Sequence, residues 1–142
     1  MNDFFALFFE FLFDYDANQD LLDAVFNNGD YKMIGLSIIL ISIISPFLFY
    51  KVWDPIQKQL LKYVITLLIV GIIQFVVTNY VLNINNDILN LIGNYSSESY
   101  HMDPDLFIMT MGAISMIYVI IISFLTSRVI KKMSINNKYN PF

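Results

Sequence analysis

"MIGLSIILISIISPFLFY", residues 33–50, runs for 18 positions without a charge. As a helix it is about 27 Å long, close to the ~30 Å hydrocarbon core of a bilayer. Two further runs match it: "YVITLLIVGIIQFVVTNYVL", residues 63–82, and "LFIMTMGAISMIYVIIISFLTS", residues 106–127. Helix is the expected form, because an open sheet would leave backbone groups unpaired in lipid. Composition agrees, with 57% of the 142 residues hydrophobic and 14% charged, against about 25% charged in an ordinary soluble domain. The sequence therefore predicts an all-α integral membrane protein. It has three transmembrane helices, spans about 33–50, 60–82 and 106–128, plus one or two short interfacial amphipathic helices on the outer side. Residues 1–31 read as an outer-side amphipathic segment, 32–133 as the membrane domain and 134–142 as a basic inner-side tail.

"WDPIQ" and "MDPDL" mark two helix starts. Asp54 and Asp103 are N-cap candidates, and Pro55 and Pro104 follow at the first helical position, where a missing N–H costs nothing. The second helix is thus expected to start near 55 and the third near 104. Tyr31, Tyr50, Trp53, Tyr63 and Tyr80 fall near span ends, where amphipathic rings favour the membrane–water interface. Pro46 is expected to kink the first span, since it removes one backbone bond and crowds the preceding turn.

The net charge of -4 hides a segregation along the chain. Lys51, Lys58, Lys62, Arg128, Lys131, Lys132 and Lys138 flank one end of the spans; only Lys32 stands at the other, with eleven of the twelve carboxylates. The positive-inside rule puts the N-terminus outside and the C-terminus inside an inner membrane, cytoplasmic or organellar.

The segment "DFFALFFEFLFD", residues 3–14, carries Phe4, Phe5, Phe8, Phe9, Phe11 and Phe13. At about 20 Å it is too short to span. On a helix Asp3, Glu10 and Asp14 form one narrow stripe and the aromatics fill the rest, which suits a membrane-plane anchor or docking against protein. "NQDLLDAVF", residues 18–26, reads as a second short helix with Leu21, Leu22, Val25 and Phe26 on one face, and "NNGD" as the turn that follows. Residues 84–92 suggest a further short helix stopped by Gly93.

Buried charges mark chemistry within membranes, and none of the three apolar runs, 33–50, 63–82 and 106–127, holds Asp, Glu, Lys, Arg or His. The polar content is instead small residues in stripes: Gly35, Ser42, Ser45 and Pro46 on the first span; Gly71, Gln74 and Thr78 on the second; Gly112, Ser115, Ser123 and Thr126 on the third. Such faces let membrane helices approach and pair their hydroxyls. Gln74 needs a partner at that depth, and a serine or threonine of the first or third span is the natural one. Without cysteine there is no thiolate chemistry, and the lone His101 reads as a solvated loop residue. Asn94 heads a glycosylation-type tripeptide. No catalytic residue, metal ligand or cofactor is expected, and no nucleic-acid partner. The expected partners are the lipid bilayer and other membrane subunits or further copies of the chain. A non-enzymatic subunit that supports or assembles a larger membrane complex fits best; an oligomeric pore former of the holin type, or a small channel, is the alternative.

The charge split sets a direct check. In this cysteine-free chain, Ser97→Cys should react with an impermeant thiol reagent on intact cells and Ser134→Cys should not; the reverse pattern would invert the orientation.

Overall fold

The computed structural model describes residues 1–53, 58–93 and 102–133. Its helices are α1 (Asn2–Glu10), α2 (Tyr15–Asn28), α3 (Asp30–Phe47), α4 (Gln59–Asn83), α5 (Asn86–Gly93) and α6 (Pro104–Ile130). A π-helical turn, Leu48–Trp53, extends α3, and a 3₁₀ turn, Lys131–Met133, ends α6. No strand occurs among the described residues. Three helical stretches are long and apolar enough to cross a membrane: Asp30–Trp53, Gln59–Asn83 and Pro104–Ile130, of 24, 25 and 27 residues.

These three form a bundle with α6 at its centre, packed on α4 most extensively and on α3 next. Glycine permits the close approach of α4 and α6. A Cβ at Gly71 would stand 2.9 Å from the Ile120 Cδ1, and one at Gly112 would collide with the Asn79 amide and the Phe75 ring. α3 and α6 run the same way and α4 against them, so six cations (Lys51, Lys58, Lys62, Arg128, Lys131 and Lys132) gather at one end. The opposite, acidic end carries α1, α2 and α5.

That end is one body with the bundle. Leu21, Leu22 and Val25 of α2, Ile88 of α5 and Phe107 of α6 are fully buried in a core shared with Tyr31 and Ile34 of α3. The boundary expected at residue 31 therefore falls inside α3. Ala24 turns inward and Phe26 outward, because the inward face of α2 is set by its packing on α3 and α5. Gly29, at φ +78°, ends α2 and starts α3; that left-handed conformation suits glycine. A buried carboxylate joins the short helices. Asp30 accepts from the Asn28 amide at 2.8 Å and the Asn85 amide at 2.6 Å. Asn85 also donates to the Ala24 carbonyl, and its Oδ1 accepts from the backbone N–H of Asp87, which caps α5.

Helix starts differ from the sequence expectation at one place. α6 begins at Pro104 with the Asp103 carboxylate accepting from the Asp105 N–H at 2.8 Å. α4 begins at Gln59 and not near 55, because Lys58 has φ +52° and cannot continue a right-handed helix. Asp54 and Pro55, like Asn94, His101 and the tail from 134, lie outside the described residues. Tyr31, Tyr50 and Tyr63 are buried, while Trp53 and Tyr80 stay exposed. At the basic end Phe49 meets Tyr50, Trp53 and Tyr63 edge-on, with ring centroids 5.0 to 5.8 Å apart. Such aromatic pairs add stability beyond their buried area, and the π turn brings Phe49 and Tyr50 inward together.

Pro46 lies within α3 and is buried. Having no N–H, it leaves the Ser42 carbonyl without its helical donor. The Thr126 hydroxyl of α6 donates to that carbonyl at 2.7 Å. Thr126→Val should therefore destabilise the protein by about 1 kcal/mol. In a Pro46→Ala background, where residue 46 regains its N–H, the same change should cost less. Thermal unfolding of the four proteins in mild detergent measures the coupling, and strictly additive effects would refute the pairing.

Candidate functional site

The small and weakly polar residues of the three long helices converge on the bundle interior. Gly35, Ser42, Pro46, Gly71, Gln74, Thr78, Gly112, Ser115 and Ser123 are buried, and Ser45 and Thr126 are half-buried. They form a polar seam in two parts. The first is centred on Gln74, which is fully buried. Its amide N–H groups donate to the Ser37 hydroxyl at 2.9 Å and the Thr78 hydroxyl at 3.2 Å. Thr78 and Ser115 hydroxyls lie 2.7 Å apart, and Ser115 Oγ is 2.8 Å from the Gly112 carbonyl. Ser37 Oγ is 2.7 Å from the Ile34 carbonyl.

One proton arrangement satisfies every donor. Gln74 gives its two N–H groups to Ser37 and Thr78, Thr78 donates to Ser115, Ser115 to Gly112, and Ser37 to Ile34. The Gln74 carbonyl oxygen remains as an acceptor, 3.2 Å from Ser37 Oγ. Burying an amide without such partners is costly. The seam thus links α3, α4 and α6 without an ionisable group.

The second part joins α3 to α6 nearer the basic end. The Ser45 and Ser123 hydroxyls lie 3.4 Å apart, Ser42 Oγ is 3.4 Å from the Val119 carbonyl, and Thr126 serves the Ser42 carbonyl. The first two are long for hydroxyl bonds, and Thr126 is the strong member.

Ser37 is the functional partner that the stripes missed. It lies on a different face of α3 from Ser42, because α3 meets α4 on one side and α6 on another. The requirement that Gln74 find a hydroxyl on a neighbouring span was the available signal.

The aromatic segment docks on the chain's own bundle through part of its face. α1 spans nine residues and ends at Glu10. Phe5, Ala6 and Phe9 are buried against the bundle, whereas Phe4, Phe8 and Phe11 are exposed and Phe13 is half-buried. The cause is Gly35: its missing Cβ leaves a hollow filled by the Phe5 ring. Phe9 stacks on Tyr31 with centroids 5.8 Å apart and meets Tyr118 edge-on at 5.6 Å. Phe13 packs on Phe107 at 5.0 Å. The Tyr118 hydroxyl donates to the Phe8 carbonyl at 2.6 Å, which is among the last helical carbonyls and lacks an internal donor. At the other end the Asn2 side chain donates to the Phe26 carbonyl and accepts from the Lys32 N–H at 3.0 Å. Phe5 and Phe9 are therefore docking residues within the chain, and only Phe4, Phe8 and Phe11 present a free aromatic face.

Among the described residues no three His, Cys, Asp or Glu side chains come close enough to hold a metal ion. The chain matches no known protein-family model, no curated protein and no solved structure.

Gln74 distinguishes packing from a water-filled path. Gln74→Leu should cost about 0.6 kcal/mol and rarely above ~1.7, the range of such bonds in membrane proteins. Gln74→Glu should cost more, because its carboxylate would have to lose solvent or take up a proton. The check is thermal unfolding beside ion flux in liposomes; a stable Gln74→Glu protein that conducts cations would place Gln74 in a pore.

Proposed function

We propose that this chain is a non-enzymatic membrane subunit that structurally supports or assembles a larger membrane protein complex, together with other membrane subunits or further copies of itself. It sits in an inner membrane, cytoplasmic or organellar, with the acidic end and N-terminus outside and the basic end inside. The charge split between the two ends of the bundle supports that orientation.

One observation carries the functional reading. The amide and hydroxyls of the seam are turned inward and used, while the outward faces are apolar. On α4 alone Leu61, Ile65, Leu68, Ile69, Ile72, Ile73 and Val76 are exposed, and α4 is the least covered of the three long helices. Such a surface offers lipid or a neighbouring apolar helix a large contact. A pore assembled between copies would need hydroxyls or amides on that same surface, so the oligomeric pore, holin-like or a small channel, has weaker support.

Purification in mild detergent from the native membrane should bring down other membrane proteins in fixed ratio with the chain. The chain alone in liposomes should leave them tight to ions and small dyes. Recovery of the chain only with itself, together with leakage from those liposomes, would overturn the subunit reading in favour of the pore.

A further inference from the structure

α1 crosses α3 and α6 without sealing against them. Between them lies a cavity of about 300 Å³, walled by Phe4, Phe8, Gly35, Ile38, Ile39 and Ile122. Its size falls at the small end of ligand pockets, roughly 300–1,000 Å³. The one polar side chain on its wall is Tyr118, whose hydroxyl is engaged by the Phe8 carbonyl. Water needs two to four polar partners to stay in a cavity and finds none here, so the fitting occupant is hydrocarbon. Phe4, Phe8 and Ile39 at the rim are exposed, and the cavity opens sideways from the bundle.

A second feature names the rest of the occupant. Lys32, Gly35 and Ile39 follow one face of α3 at the spacing i, i+3, i+7. Lys32 is exposed and is the one Lys or Arg at the acidic end among the described residues. Its backbone N–H is held by Asn2, so the start of α1 and the lysine are fixed beside each other. One turn below, the cavity begins. A long lysine side chain can lay its stem on apolar surface and keep its ammonium in water. Hydrocarbon below and an exposed lysine one turn above match a phospholipid, in which acyl chain and phosphate are covalently joined.

We propose that the cavity beneath α1 holds an acyl chain of an outer-leaflet phospholipid whose phosphate pairs with Lys32. Lipid then becomes part of the fold, filling the gap that α1 leaves beside the Phe5 ring, over Ile38 and Ile122. This rests on the membrane placement proposed above and goes beyond it in assigning a specific lipid site.

The test reconstitutes the full chain in vesicles of equal phosphatidylethanolamine and phosphatidylglycerol, extracts it in mild detergent and weighs it by native mass spectrometry. The wild-type chain should retain a single phospholipid. Ile122→Trp, which fills the cavity, should lose it to background. Lys32→Gln alters only an exposed side chain, so its folding is not in doubt. It should retain about tenfold less, the loss of one charge-assisted bond. Equal retention by all three proteins would mean ordinary boundary lipid and would overturn the site. So would absence of lipid from the wild type, or a disulfide-linked dimer formed through Ile39→Cys, which would put a second copy in the cavity. A chain that never enters the vesicles would overturn the membrane placement itself, a result distinct from these.

Discussion

A primary amide buried among aliphatic helices cannot be left without partners, and Gln74 imposes that condition on the whole bundle. Its N–H groups reach one hydroxyl on α3 and one on its own helix, and the latter passes the demand to α6 through Ser115. Sliding any long helix by one residue would break at least one of these bonds. Apolar packing alone tolerates such slips, because one leucine face resembles another. The seam supplies the specificity, and glycines at 71 and 112 bring the backbones near enough for short hydroxyls to meet.

The acidic end follows the same logic with different groups. Three short helices could not hold their places on hydrophobic contact alone, since they offer only about two to four turns each to bury. Asp30 and Asn85 join α2, α3 and α5, and Asn2 and Tyr118 pin the two ends of α1. α1 is therefore apolar on two sides for two reasons. Phe5 and Phe9 fill the hollow over Gly35 and Tyr31, and Phe4, Phe8 and Phe11 face outward.

Much of this was legible before any coordinates. Charge-free runs of the right length give three long helices, and the stripes of small residues point to their contact faces. Gln74 announced its need for a hydroxyl. What the sequence hid arises from contacts between elements. Ser37 escaped the stripe on α3 because that helix has two neighbours and so two polar faces. Tyr31, Tyr50 and Tyr63 sit where interfacial rings are expected, yet partners unknown to a single helix draw them inward. The narrow acidic stripe on residues 3–14 suggested a membrane-plane anchor or a segment docked on protein, without distinguishing one phenylalanine from another. A glycine some twenty residues further on determined which phenylalanines would be covered. Lys58 could not be foreseen as a helix stop, since its left-handed backbone has no sequence signature comparable to that of Gly29.

The bond from Thr126 to the Ser42 carbonyl also bears on how such a chain is made. The two residues are 84 positions apart. At ribosomal speeds of about 5–20 residues per second, a proline-containing first span waits on the order of ten seconds for its donor. Throughout that interval the Ser42 carbonyl lacks the donor that it has in the finished fold. The proline thereby ties the first long helix to a threonine near the end of the last one.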